Sequence, residues 1–306
     1  MKKKISVIVS LVLVAVLSVT LFAACGNDNA TNGDTSTTDA NVITTEGTED
    51  TTADTTEGTT EGTTEGTLKK LTMATNAAFP PYEYKEGNDF AGIDIEIAGK
   101  IAEKLGMELE IIDTEFGSIV GGVQTGKYDI GMAGMTVTDE RLKSVNFSKP
   151  YAKGVQSVIV LEDSEYKSYE DFYTGYDEKG NPTGVIEDLK IGVQQDTTGD
   201  IYSSSTPEEG GFGDKNVVRF KTGADAVQAL ITGKVTAVII DNEPAKSYVA
   251  ANKGLKILET SYVEENYAIC VAKENTELLA DIDKALADLT ADGTIPAIIE
   301  KYIPSK

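Results

Sequence analysis

At 306 residues the chain is long enough for two modest domains with real cores, and a formal charge of −23 without a basic patch argues against a nucleic-acid partner. Histidine is absent, which removes Ser-His-Asp and Cys-His catalysis, His-ligated metals and a charge switch near neutral pH. No metal and no cofactor are expected from what remains.

The chain opens on a segment to be removed. Residues 2–4 are all Lys, and Ile5 to Ala24 is almost wholly apolar, the pattern of a secretory signal peptide over 1–24. That length would also suit a membrane-spanning anchor. The run Leu21-Phe-Ala-Ala-Cys25 resembles a lipobox, although Phe22 stands where Leu is commonest. Cys25 is therefore the expected lipidation site, with everything after it extracytoplasmic and held at the cell membrane. Residues 26–67 contain no Lys or Arg, and Thr-Thr-Glu-Gly recurs at positions 44, 55, 59 and 63. Such a segment buries too little apolar surface to offset its ordering entropy, so 25–67 reads as a lipidated cysteine plus a disordered tether. Its r.m.s. reach is about 35 Å for roughly 40 residues.

Order is expected from Leu68. Leu71 to Thr75 reads as a strand and Asn76 to Tyr82 as the loop after it. Phe90 to Ile95 leads into a helix with Ile97, Ile101 and Leu105 on one face, closed by Gly106. Glu108 to Asp113 is strand-like, and Gly117 to Gln124 a helix weakened by Gly121 and Gly122. Gly121 to Lys127 has P-loop spacing by letter, but its glycines precede a strand and Tyr128 replaces Ser/Thr, so it is discounted. Asp129 to Ala133 reads as a strand, followed by a bend and a helix start with Thr138 as N-cap and Asp139 and Glu140 in the first turn. Arg141, one of only two arginines with Arg219, follows. A lone guanidinium beside Gly/Thr backbone suits a carboxylate; the alternative is a helix-surface Arg paired with Glu140.

Past Pro150 the pattern restarts. Strands are expected at Gln156 to Leu161, Lys190 to Val193 and Ala237 to Asp241, with helices after Thr198 and over Ala224 to Ile231. Asp177 to Gly184 is a surface loop without EF-hand spacing. Asn275 or Thr276 starts a helix with Leu278, Ile282, Leu286 and Leu289 on one face, and a last helix ends near Tyr302. Cys270 is expected as a buried strand residue, unpaired with Cys25. Alternating strands and helices predict α/β architecture. Val123 to Ala133 and Leu230 to Ile240 form a quasi-repeat of helix end, Thr-Gly-Lys and strand, as two similar lobes would contain. Ligands of open α/β sheets sit at the carboxyl ends of strands. One strand of the pair leads to Gly134, Thr136 and Arg141, the other to Asp241, so a cation and an anion would face each other across a cleft. The alternative for Asp241 is a helix N-cap ahead of Pro244.

Three runs in order, Gly92-Ile-Asp-Ile-Glu-Ile-Ala-Gly-Lys-Ile-Ala-Glu-Lys-Leu-Gly106, Ala133-Gly-Met-Thr-Val-Thr-Asp-Glu-Arg141 and Gly192-Val-Gln-Gln-Asp-Thr-Thr-Gly199, resemble the bacterial solute-binding protein family 3, the polar amino acid receptors of ABC importers. The resemblance covers 68–306. It implies a type II periplasmic-binding fold of two α/β lobes, 68–151 with 266–306 and 152–265, joined by two hinge crossovers with the ligand cleft between. It implies that Arg141 holds the ligand carboxylate with help from backbone near Thr136, Thr198 and Gly199. Asp241, the Gly134 carbonyl and the Thr136 hydroxyl would take the ammonium. Phe79 and Phe116 would clamp the ligand side chain, bordered by Gln194 and Asn76. Two positions depart from the family pattern: Asp196 replaces a Gly, and Asn76 replaces an Asp that often receives a basic side chain. The amide at 76 tilts the expectation toward glutamine-like ligands over arginine or lysine. The implied partners are a free amino acid, permease and ATPase subunits and a membrane reached by the lipid, with the receptor a monomer. The same fold serves cyclohexadienyl dehydratases, in which case Glu115 or Glu83 would have to move protons. An amino-acid sensor domain is the other alternative, although no signalling segment follows residue 306.

Overall fold

The computed structural model describes residues 68–304; the expected signal peptide, Cys25 and the tether lie outside the described residues. The apolar run that begins the described chain forms β1 (Lys70–Thr75). Within the loop expected over Asn76 to Tyr82 lies β2 (Ala78–Phe79), which joins β3 (Glu83–Glu86) and β4 (Asp89–Ala91) in a small antiparallel sheet. Its strands are too short for alternation to show, and Pro80-Pro81 masks the pattern. In α1 (Ile93–Leu105) the isoleucines at 93, 97 and 101 are fully buried, each contributing about 1.5–3 kcal/mol. Gly106 ends the helix at φ 65°, its N–H returning to the carbonyls of Ala102 and Glu103.

β5 (Glu108–Asp113), α2 (Ile119–Gln124) and a two-residue β6 (Ile130–Gly131) follow. The helix expected from Asp139 begins instead as α3 (Arg141–Ser144), then β7 (Val145–Phe147). Thr138 still caps it, since its Oγ1 accepts the Arg141 N–H at 3.1 Å and its carbonyl the Leu142 N–H at 2.9 Å. The second half runs β8 (Ala152–Leu161), β9 (Ile191–Gln194), α4 (Thr198–Ser204), β10 (Val217–Phe220) and α5 (Gly223–Ile231). It continues through β11 (Ala237–Asp241), α6 (Asn242–Ala251), β12 (Leu255–Ile257), β13 (Val263–Tyr267) and β14 (Cys270–Ala272). The chain closes on α7 (Thr276–Ala291) and α8 (Thr294–Tyr302), with Ile282, Leu286 and Leu289 buried on the predicted face.

Two larger sheets define two lobes. The first has order β5-β1-β6-β14-β7, with β5, β1 and β6 parallel and β14 antiparallel to its neighbours. The second has order β10-β9-β11-β8-β12, again with three parallel strands, and β8 antiparallel to β11. The sheets are therefore mixed, because each lobe admits one strand arriving from the other. β13 pairs antiparallel with β8, placing Val263 opposite Gln156 and Tyr267 opposite Ala152. Both crossings between sheets leave from this ribbon, where the Tyr267 ring lies against the Cα of Gly154 with no room for a side chain there.

The quasi-repeat has one backbone solution in both lobes. Thr125 and Thr232 N–H groups bond four residues back, Gly126 and Gly233 three back, and Lys127 and Lys234 five back. Both glycines turn left-handed, at φ 73° and 70°. The chain is thereby aimed into β6 in one lobe and β11 in the other.

Candidate functional site

Four strand ends converge on one cavity. Asn76 follows β1, Gly134 and Thr136 follow β6, Gln194 ends β9 and Asp241 ends β11. Arg141 projects into it from the start of α3, only 9% exposed. Its Nη1 donates to the Thr136 carbonyl at 2.7 Å and its Nη2 to the Asp196 carbonyl at 3.1 Å, while the guanidinium lies 5.2 Å from the Phe116 ring centre. Glu140 pairs with Lys143 instead, so the helix-surface alternative for Arg141 fails. Among the described residues no carboxylate comes within 4 Å of the guanidinium, and three of its five N–H donors remain uncommitted to side chain or backbone.

Asp241 is 7% exposed and makes no cap bond to α6; its carboxylate faces the other way. Oδ1 accepts from the Tyr267 hydroxyl and Oδ2 from Gln156 Nε2 at 2.9 Å. The same Gln156 amide donates to Glu265 Oε2 at 2.9 Å, so it bridges two buried carboxyls. Burial and the neighbouring Glu265 push the Asp241 carboxyl well above the ordinary carboxylate range. A second acidic pair sits behind Gly134. Asp94 Oδ2 accepts from the Gly134 N–H and the Tyr151 hydroxyl, both at 2.8 Å, yet burial still raises Asp94 to about 6. Burial and the adjacent Asp94 push the Glu83 carboxyl well above the ordinary carboxylate range as well. Glu83 lines the cavity, and its Oε2 has no hydrogen-bond partner among the described residues.

Nine of the ten predicted cleft residues line this cavity; Gly199 does not, for its Cα packs against the Gln156 amide and the Ile239 carbonyl. Thr198 lines it from the first turn of α4. Phe79 backs onto Gly134, whose φ of 51° brings the backbone so close that a Cβ would meet the ring at 2.8 Å. Asn76 is engaged at both ends, Nδ2 donating to the Thr114 carbonyl and Oδ1 accepting from Gln194 Nε2 across the cleft. Its amide is thus a clasp between lobes. Glu115 is exposed and paired with Lys221 at 2.6 Å, a second bridge across the cleft mouth. Sequence reading missed Gln156, which stands opposite Asp241 in the β11–β8 pair, and Glu265 and Tyr267, which reach it because β13 pairs with β8. It weighed Glu83 only as an acid. Cys25 lies outside the described residues.

Residues 71–305 match the sequence profile of the bacterial extracellular solute-binding proteins, family 3. The arginine-binding extracellular protein ArtP of Bacillus subtilis is 30% identical over 236 residues, covering 76% of this chain and 86% of ArtP. The ABC transporter glutamine-binding protein GlnH of the same organism is 28% identical over 299 residues, covering 97% of each. Among solved structures, an ancestral arginine-binding protein bound to arginine superposes with a TM-score of 0.68 at 36% identity, covering 78% of this chain and 99% of that one.

Proposed function

Because the chain belongs to the bacterial extracellular solute-binding proteins of family 3, we propose that it captures a free polar L-amino acid by closing two lobes and hands it to an ABC importer. One observation carries this reading. A single cavity holds a buried guanidinium without a carboxylate partner and buried carboxyls without a cationic one, among the described residues. A zwitterion supplies both missing charges at once. Its carboxylate goes to the free donors of Arg141 and the backbone near Thr198, its ammonium to Asp241 beside Glu265, with Thr136 and the Gly134 carbonyl at the same pole. Phe79 and Phe116 flank the ligand side chain.

Asn76 gives one N–H to Thr114 and one lone pair to Gln194, which leaves one donor and one lone pair for a glutamine-like side chain. The buried Glu83 and Asp94 carboxyls have no cationic partner among the described residues, and the charge they carry when ionised favours a basic side chain, arginine before glutamine. Lobe 1 is 68–151 with 266–306, lobe 2 is 152–265, and the β8–β13 ribbon is the hinge. Cys25 carries a lipid that holds a monomeric receptor at the membrane; a Cys25→Ala chain should then be recovered from the medium. Among the described residues no helix is long and apolar enough to cross a membrane.

Calorimetry against the common amino acids tests the reading. Saturable binding is expected for arginine, with glutamine weaker. Arg141→Ala should lose about 2–5 kcal/mol of affinity, since the ligand carboxylate would be buried unpaired; unchanged affinity would refute the assignment. Glu83 alone favours a second reading, a dehydratase-like enzyme, because a carboxyl that faces a cavity and whose charged form is disfavoured by burial suits a general acid. Turnover of prephenate or arogenate by the purified chain would establish it.

A further inference from the structure

Away from the cleft, the second lobe has a solvent-open concavity walled by five tyrosines, Tyr169, Tyr173, Tyr176, Tyr202 and Tyr262. The rings stand at angles to one another. Tyr169 meets Tyr262 at 5.1 Å and 61°, and Tyr173 at 6.4 Å and 85°. The Tyr173 and Tyr262 hydroxyls both donate to the Gly210 carbonyl, at 2.7 and 2.8 Å, which pins these rings and removes their polar tips from the space. Buried Phe212 stacks on both and backs them. At the lip Tyr176 is 56% exposed, an unusual position for a large ring. It is held there by an ordered turn in which Asp177 Oδ1 accepts the N–H groups of Lys179 and Asn181 at 2.8 Å. Tyr202 divides the concavity from the cleft, its hydroxyl turned to Glu265.

The remaining wall is acidic. Glu170 and Glu209 line it, neither has a Lys or Arg within 4 Å among the described residues, and no basic residue contributes to the lining. Ring faces at steep angles with carboxylates at the edge attract a large, weakly hydrated cation, because the ring quadrupole and the acids act in the same sense. An apolar peptide would gain nothing from the two charges, and a neutral sugar would not gain the net electrostatic attraction that a cation does.

We propose that this concavity is a second ligand site for a small organic cation of the quaternary or alkylated ammonium class, separate from the amino acid cleft.

The test titrates the chain with choline and with 3,3-dimethylbutan-1-ol, its uncharged isostere, in the presence of saturating arginine. The chain has no Trp and 13 Tyr, five of them in this wall, so tyrosine emission carries a contribution from these rings, and Tyr176→Ala shows how much of the change is theirs. Saturable quenching by choline is expected, with the isostere about tenfold weaker or worse. Tyr176→Ala and Glu170→Gln, both at exposed positions that leave the core intact, should each weaken choline about threefold to tenfold and leave arginine affinity unchanged. Equal binding of the two probes, insensitivity to both variants, competition with arginine or absence of saturation would each overturn the proposal.

Discussion

At the scale of single residues, Asp196 explains a departure from the family pattern. It stands where the family resemblance implies glycine, and it adopts φ 65°, the left-handed conformation glycine takes without cost. Asp tolerates that region better than most side chains, and its own N–H is tied to Asp200 Oδ2 at 3.1 Å. The carbonyl so presented is the one that seats Arg141. What matters at 196 is therefore the backbone angle, and the carboxylate is incidental to it. Asp196→Gly should keep both stability and ligand affinity, whereas Asp196→Val should lower stability by about 1–2 kcal/mol, from the left-handed penalty of a branched residue. Thermal denaturation of the two variants checks this, and equal stability would show that the angle is not maintained. Cys270 illustrates the opposite case, a side chain whose chemistry is silenced by packing. It is fully buried against Gly131, and burial pushes its thiol up to about 12.

At the scale of elements, the two Thr-Gly-Lys turns allow the internal similarity to be measured. Gly126 and Gly233 share their φ, their hydrogen bonds and an open surface, with nothing within 4 Å of an added Cβ. An alanine at either position meets only the backbone penalty, about 1 kcal/mol, and the two costs should agree. Unequal losses in denaturant melts would mean that the turns answer to different surroundings. Gly131→Ala is a contrast on the neighbouring strand, because its Cβ would sit 2.5 Å from Cys270 Sγ and from Ile119 at an ordinary backbone angle. These elements also show what sequence made legible. The α1 periodicity, the uniformly apolar β11 and the Thr-Gly-Lys turns are local signals, and each stands within a residue or two of its predicted place. Strands such as β7, β10 and β12 have three or four residues and carry no period of their own; they exist because a neighbour's edge needs pairing. The cleft was legible where a strand end presents its own residue, as at Thr136 or Asp241. It was illegible where a partner strand brings in a side chain from a distance, as β13 does with Glu265 and Tyr267.

For the whole molecule, the type II periplasmic-binding architecture collects buried acid around the cavity, and under the proposed function that would make ligand capture depend on protons. Asp94 and Asp241 titrate above their ordinary value of 3.8, the former at about 6, because burial disfavours their charged forms. A carboxyl with a higher pKa folded than unfolded holds its proton more tightly in the native state. Its effect on stability is therefore favourable at low pH and is lost as pH climbs from about 4 through the raised value. The surface acids with lowered pKa, such as Glu96 and Asp171, add stability as pH rises through their ordinary values of 4.5 and 3.8, so most of their effect is complete by pH 5 and they oppose the trend little above it. Hence the ligand-free chain should melt higher at pH 5 than at pH 8. An α-ammonium seated at Asp241 competes with the proton there, so binding reverses the sign: affinity should rise from pH 5 to pH 8 as the competitor is removed. Titrations at pH 6 in buffers of different ionisation enthalpy should show up to about one proton released per ligand bound. Proton uptake, or an affinity flat across that range, would mean that Asp241 is already ionised in the empty cleft and that Arg141, not the acidic pole, sets the energetics of closure.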